Sequence, residues 1–214
     1  MAVKTYSLKN EGSRVLSKNF KVREFKCNDG SDKVLIADEL VCALQKIRDH
    51  FGKAVNITSA YRTSSYNKKI GGAKSSQHVK GTAADIQIAG VDPLKVALYA
   101  QSLGLGGIGL YSYVNGGFTH IDVRNGKSRW VQAVNTGSYT SVASIMPTVK
   151  KGSKSKATIV LQRKLNQLGY NCGAADGFAG TNTIKAIKAF QTKYKLVADG
   201  VAGAKTWEKI AEVI

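Results

Sequence analysis

The sequence predicts an α+β domain followed by a small all-α module of three helices. Three observations predict this. Helical and strand-like apolar spacings alternate over residues 1–131. Residues 132–147 then turn to Ser, Thr, Ala and Gly, the composition of a linker. Over residues 148–214 a DGxxGxxT pattern occurs twice, at Asp176–Thr183 and again 23 residues later at Asp199–Thr206, each copy ahead of a helical run.

The elements follow in order. From Asp32 to Gly52, Ile36, Leu40, Ala43, Leu44, Ile47 and Phe51 recur at helical spacing, and Gly52 suits the C-terminal cap. Ala54–Ser59 reads as a short strand, Thr63–Ser76 as a Gly- and Ser-rich loop, and Thr82–Ala89 as a second strand. Asp92-Pro93 opens a helix that ends at Leu103-Gly104, with Pro at the first helical position. Gly107–Tyr113 and Phe118–Arg124 are β-rich runs joined by a hairpin-like turn at Asn115-Gly116-Gly117. The module's helices are expected at Thr158–Leu168, Thr183–Lys195 and Thr206–Ile214. The Asp-Gly pairs read as turn formers before helix starts; calcium binding would need the ligand count of an EF-hand, which they lack.

Lys and Arg total 32 against 14 Asp and Glu, a net charge of +18. Residues 1–131 carry net +10 and the remainder net +8, so the positive charge is no mere tail and points to a polyanionic partner. Nucleic acid, anionic lipid and anionic wall polymers all qualify on charge, but no RRM, KH or zinc-finger pattern supports nucleic acid. Three cysteines, Cys27, Cys42 and Cys172, are odd in number and show no CxxC spacing, which argues against a disulfide framework or a Cys-based metal site. No run approaches the ~20 apolar residues of a membrane span, and the opening MAVKTYSLKN has no apolar run of signal-peptide length. The expectation is a protein made in the cytoplasm, acting as a monomer on a target reached after release.

Of three histidines, two sit in suggestive strings: Ser76-Gln77-His78-Val79-Lys80-Gly81-Thr82-Ala83-Ala84-Asp85, or SxHxxGxAxD, and Phe118-Thr119-His120-Ile121-Asp122. His78 falls at a loop end, Gly81 permits a sharp turn, and Asp85 lies on the returning strand, so the two side chains can converge. His120 on a neighbouring strand could complete a His-Asp-His set. Imidazole nitrogen and carboxylate oxygen suit Zn²⁺, and three protein ligands with one water is the pattern of a catalytic zinc site. Asp122 shares a strand face with His120, and could orient it or act as a base. His50 has no such context and reads as structural.

Residues 1–131 resemble the M15 family of zinc peptidases, which share a fold with D-Ala-D-Ala dipeptidases and hedgehog signalling domains. The resemblance is carried by Phe20–Phe25, Ile57–Thr63, Tyr66-Asn67 with Gly71–Ala73, the SxHxxGxAxD string, Gly107–Tyr111 and His120–Arg124. It implies a hedgehog/DD-peptidase-like fold, His78, Asp85 and His120 as zinc ligands, and Arg62 beside the metal, stabilising substrate oxygen. Ser76 and Gln77 could contact substrate or orient the ligands. The acid that many relatives place three residues before the last ligand His is replaced by Gly117, which leaves the general base open; Asp122 is a candidate for it, and Tyr111 and Tyr113 are candidates as proton donors or oxyanion partners. Residues 149–214 resemble the type 1 peptidoglycan-binding domain, through Val160–Leu165, Leu168–Tyr170, Asp176–Thr183, Ala189–Gln191 and Asp199–Trp207. Together the resemblances imply a zinc-dependent peptidase of peptidoglycan stem peptides, of phage or prophage endolysin type, with peptidoglycan and possible anionic wall polymers as partners. The alternative they leave is a non-catalytic wall-binding protein with a structural zinc.

Overall fold

A computed structural model describes residues 2–113, 116–133, 140–142 and 144–214. The chain divides into two compact units, Met1–Gly109 with Phe118–Ser128, and Leu110–Gly117 with Arg129–Ile214.

The first unit opens with β1 (Val3–Ser7), a one-turn helix α1 (Leu8–Glu11), the short pair β2 (Val15–Ser17) and β3 (Phe20–Lys21), and a turn of 3-10 helix at Val22–Phe25. Next comes β4 (Lys33–Ala37), antiparallel to β1, with Val3 opposite Ala37 and Ser7 opposite Lys33. The long helix α2 is therefore Asp38–Phe51 and does not begin at Asp32. Val34 and Ile36 suit a pleated, half-buried surface, and their partner lies some thirty residues away at the N-terminus, where local periodicity cannot see it. Leu40, Val41, Ala43, Leu44 and Ile47 bury one face of α2, Asp38 and Glu39 complement its N-terminal dipole, and Gly52 closes it in the left-handed conformation.

β5 (Val55–Ser59) and α3 (Ser64–Lys69) follow. The expected loop at 63–76 thus contains a helical turn, capped by the Thr63 hydroxyl accepting from the Tyr66 amide. It buries only Asn67, so it had no apolar stripe to betray it. β6 (Ala83–Ile88) pairs antiparallel with β5, and α4 (Pro93–Ser102) is capped by Asp92. β7 (Gly107–Tyr111) spans the division between the units, and β8 (Phe118–Asp122) lies against β6 with Asp85 directly opposite His120. Buried Ile86, Ile88, Leu94, Ile108 and Ile121 join the apolar face of α2 in the core of this unit. In the hairpin predicted at 115–117, Asn115 lies outside the described residues.

The second unit holds the antiparallel pair β9 (Ser128–Gln132, from Arg129 onward) and β10 (Thr140–Val142), then α5 (Lys156–Gln167), α6 (Thr181–Lys193) and α7 (Ala204–Val213). Of the predicted linker, 134–139 and 143 lie outside the described residues, Gln132 ends β9, 140–142 form β10, and Ile145 is buried. The three helices pack around Leu161, Leu165, Ile187, Phe190, Trp207 and Ile210, all essentially inaccessible. The two DGxxGxxT turns are built alike. The Asp176 carboxylate accepts from the Phe178 amide and from Gln162 Nε2, while Gln162 Oε1 accepts from the Gly177 amide. Asp199, Val201, Gln191 and Gly200 repeat every one of these bonds. Each buried glutamine locks one turn to the preceding helix, so the Asp-Gly pairs work as turn formers.

Candidate metal centre

The sequence builds this centre on two strands and one turn. His78 follows a loop in which Ser76 Oγ accepts from the His78 amide and Thr82 returns hydrogen bonds to the Gln77 carbonyl and amide oxygens. Ser76 and Gln77 thereby shape the turn that aims the imidazole. Gly81 makes the return possible: its φ is +70°, and a Cβ there would overlap the Leu35 carbonyl. Asp85 then points from β6 and His120 from the facing position on β8.

His78, Asp85 and His120 converge, all buried. His120 Nδ1 lies 2.8 Å from Asp85 Oδ1, His78 Nε2 3.2 Å from His120 Nδ1, and His78 Nε2 3.4 Å from Asp85 Oδ1. A tetrahedral ion with bonds of ~2.0–2.1 Å has ligand-to-ligand edges of roughly 3.3 Å. Two of the three separations match such an edge and the His120–Asp85 one is shorter, so the three atoms approximate a contracted face of such a tetrahedron, and the donor set of two imidazoles and a carboxylate fits a divalent metal.

The outward atoms of the same three side chains are also held. His78 Nδ1 donates to the Ala60 carbonyl at 2.7 Å, which assigns Nε2 as the lone-pair atom. His120 Nε2 faces Asp122 Oδ2 at 3.1 Å, leaving Nδ1 for the centre. Arg62 Nη2 donates to Asp85 Oδ2 at 2.6 Å, and its Nε to Ser59 Oγ at 2.8 Å. Asp122 is fully buried, and Arg124 closes on both of its oxygens.

Without an ion the charges settle accordingly. Burial pushes the His78 pKa down, so its imidazole is neutral and ready to ligate. Burial works in the same direction on His120, but Asp122 and Asp85 outweigh it and raise the pKa. For Asp85, burial is overcome by the His78 and His120 contacts, and its carboxyl sits far below the usual carboxylate range. Asp122 is likewise depressed against its burial, by His120 and Arg124. Both carboxylates are therefore ionised, as metal ligation and its support require.

The other residues singled out in the sequence have contacts of their own. Tyr111 and Tyr113 belong to the second unit. There the Tyr111 hydroxyl accepts from Trp130 Nε1, and the Tyr113 ring lies under Arg163 and Lys164. His50 stacks on Tyr99 with ring centroids 3.7 Å apart, a structural packing contact. Sequence reasoning passed over the Ala60 carbonyl, Ser59, and the pairing of Arg124 with Asp122. The first is a backbone group and leaves no signature. The last depends on Arg124 folding back onto its neighbour, which the sequence pattern does not show.

Comparison with known proteins bears on both units. A model of the Peptidase M15 family matches residues 15–122, and a model of a putative peptidoglycan binding domain matches residues 154–210. A probable peptidoglycan L,D-endopeptidase MepK of Haemophilus influenzae is 41% identical over 73 residues, covering 32% of this chain and 38% of the relative. A spore cortex-lytic enzyme of Bacillus cereus is 36% identical over 64 residues, 30% of this chain and 25% of the relative. The chain thus spans well under half the length of either curated relative. Among solved structures, the endolysin of Burkholderia AP3 phage is 38% identical, covering 29% of this chain and 24% of that one, with a TM-score of 0.29.

Proposed function

We propose that this chain, which belongs to the Peptidase M15 family and carries a C-terminal peptidoglycan-binding domain, is a zinc-dependent peptidase of peptidoglycan stem peptides, of the endolysin type. The observation that carries the reading is the convergence of His78 Nε2, Asp85 Oδ1 and His120 Nδ1 on one tetrahedral face, each with its opposite atom held. Such a centre leaves a fourth position for water or substrate.

A zinc ion held by His78, Asp85 and His120 would supply Lewis-acid activation of water for attack on a peptide carbonyl. The chain supplies the rest. The Ala60 carbonyl and Asp122 fix the tautomers of His78 and His120. Arg62 brings a guanidinium one carboxylate away from the centre, and its Nη1 has no hydrogen-bond partner among the described residues, so it can donate to the oxyanion that develops on the substrate. The contacts of Asp122 with His120 and Arg124 favour its orienting role over that of a base.

Digestion of purified peptidoglycan followed by mass analysis of the fragments tests the proposal. New N-terminal D-Glu marks an L-Ala-D-Glu endopeptidase, free D-Ala marks a carboxypeptidase, and a new terminus in a cross-bridge marks a cross-bridge peptidase. Intact peptides throughout overturn the enzymatic reading. The second reading, a structural metal in a wall-binding protein, draws on Gly117 standing three residues before His120, where the family resemblance places an acid in many members. Chelation separates the two: lost turnover with the fold intact supports the enzyme, and unfolding on chelation supports the structural site.

A further inference from the structure

Beneath the metal centre lies a second tier of side chains. Asp122 is wholly inaccessible, and such a carboxylate must be matched by charge and hydrogen bonds. Arg124 provides both: Nε lies 2.8 and 2.9 Å from the two carboxylate oxygens, Nη2 lies 2.6 Å from Oδ2, and the Arg124 amide donates to Oδ1 at 3.1 Å. Oδ2, gripped in this way, is the oxygen facing His120 Nε2.

The room for this tier comes from β7 and the residue before it. A Cβ on Gly107 would overlap the Asp122 carboxylate, with its nearest approach to Oδ2. A Cβ on Gly106 would overlap the Arg124 carbonyl. The Gly106 carbonyl is in turn held by the Ser128 amide at 2.9 Å. The paired glycines form a notch into which the Asp122–Arg124 segment sinks, and neither position tolerates even a methyl group without moving it.

We infer that Arg124 and Gly107 are positioning residues for the metal: they fix the Asp122 carboxylate, which fixes the ring plane and tautomer of His120, and so set the affinity and geometry of the centre. A planar guanidinium fork restrains a carboxylate in both position and rotation, which an ammonium cannot do. Loss of such outer partners typically costs 10–100-fold in metal affinity. The inference rests on His78, Asp85 and His120 being zinc ligands, and the test distinguishes the two claims.

The test uses the full chain, stripped of metal and titrated with zinc against a competing chelator. Cobalt absorption spectra and the melting temperature of the metal-free protein are recorded alongside. Arg124→Gln is expected to lower the metal-free melting temperature, because buried Asp122 loses its charge partner, and in addition to weaken zinc binding 10–100-fold and to shift the cobalt bands; Arg124→Lys is expected to recover part of the affinity. If the unaltered protein binds no zinc, the ligand reading itself falls. If it binds zinc and Arg124→Gln binds equally well, or more weakly with unshifted cobalt bands, the ligand reading stands and the positioning role is overturned. Should Arg124→Gln fail to fold, Gly107→Ala decides by the same criteria, because it displaces the carboxylate while keeping Arg124.

Discussion

At Arg62 the guanidinium divides its nitrogens between Asp85 and Ser59. Arg62→Lys keeps the charge but loses the fork. Removing a donor aimed at a developing oxyanion costs about 10²–10³ in kcat. The expected outcome is a fall of that order at saturating zinc, measured on a soluble stem peptide. His78→Ala should abolish both zinc content and turnover, and His50→Ala, which loses ring contacts with Tyr99 and Phe51, should change neither. The thiols separate as cleanly. Cys42 is exposed, whereas Cys27 and Cys172 are buried, and burial pushes the Cys172 pKa from 9.0 up to about 11. A thiol reagent at pH 8 should modify Cys42 quickly and the other two only on unfolding. The Cys172 proton is retained in the folded chain and lost near pH 9 in the unfolded one, so this group lowers stability as pH rises from about 9 towards 11.

Among the elements, the duplicated glutamine locks offer the sharpest test. Gln162 and Gln191 are each nearly inaccessible, and each bonds an Asp-Gly turn through both ends of its amide. Replacing either by Ala leaves a buried amide N–H without its acceptor, a cost of about 1–3 kcal/mol. Thermal melts of Gln162→Ala and Gln191→Ala should show losses of similar size, since the two locks use the same bonds. These turns were legible because their chemistry is local: Asp-Gly, a fixed interval, a helix beyond. The candidate metal cluster was legible for a related reason, since SxHxxGxAxD confines His78, the turn at Gly81 and Asp85 to one short string. What escaped was non-local or featureless. β4 takes its strand form from β1, thirty residues earlier, and α3 shows the solvent all but one of its side chains. Asp122 was recognised as sharing a face with His120, but whether it was a base or an orienter depended on Arg124 folding back onto it, which no periodicity reveals.

At the scale of the whole molecule, net charge +18 and a wall-binding domain act together. A tethered binding domain raises the local concentration of a catalytic domain at its polymer, and on the function proposed above the charge would add attraction to anionic wall polymers. With a Debye length of ~10 Å at 0.1 M salt and ~3 Å at 1 M, sedimentation with purified walls should show binding that weakens as salt rises, and weakens less on walls stripped of teichoic acid. Equal binding at all salt concentrations would remove electrostatics from the account. No helix among the described residues is long and apolar enough to cross a membrane.

The last helix of the chain also reaches back to the module's entrance. Trp207 Nε1 donates to the Pro147 carbonyl at 3.0 Å, and Val149 and Ala202 form a two-way bridge beside it. Head and tail of the module are stitched at one seam. A stop codon just before α7 would therefore act far from its own position, loosening the polypeptide where it enters the module, and proteolysis near residue 150 should report that injury first.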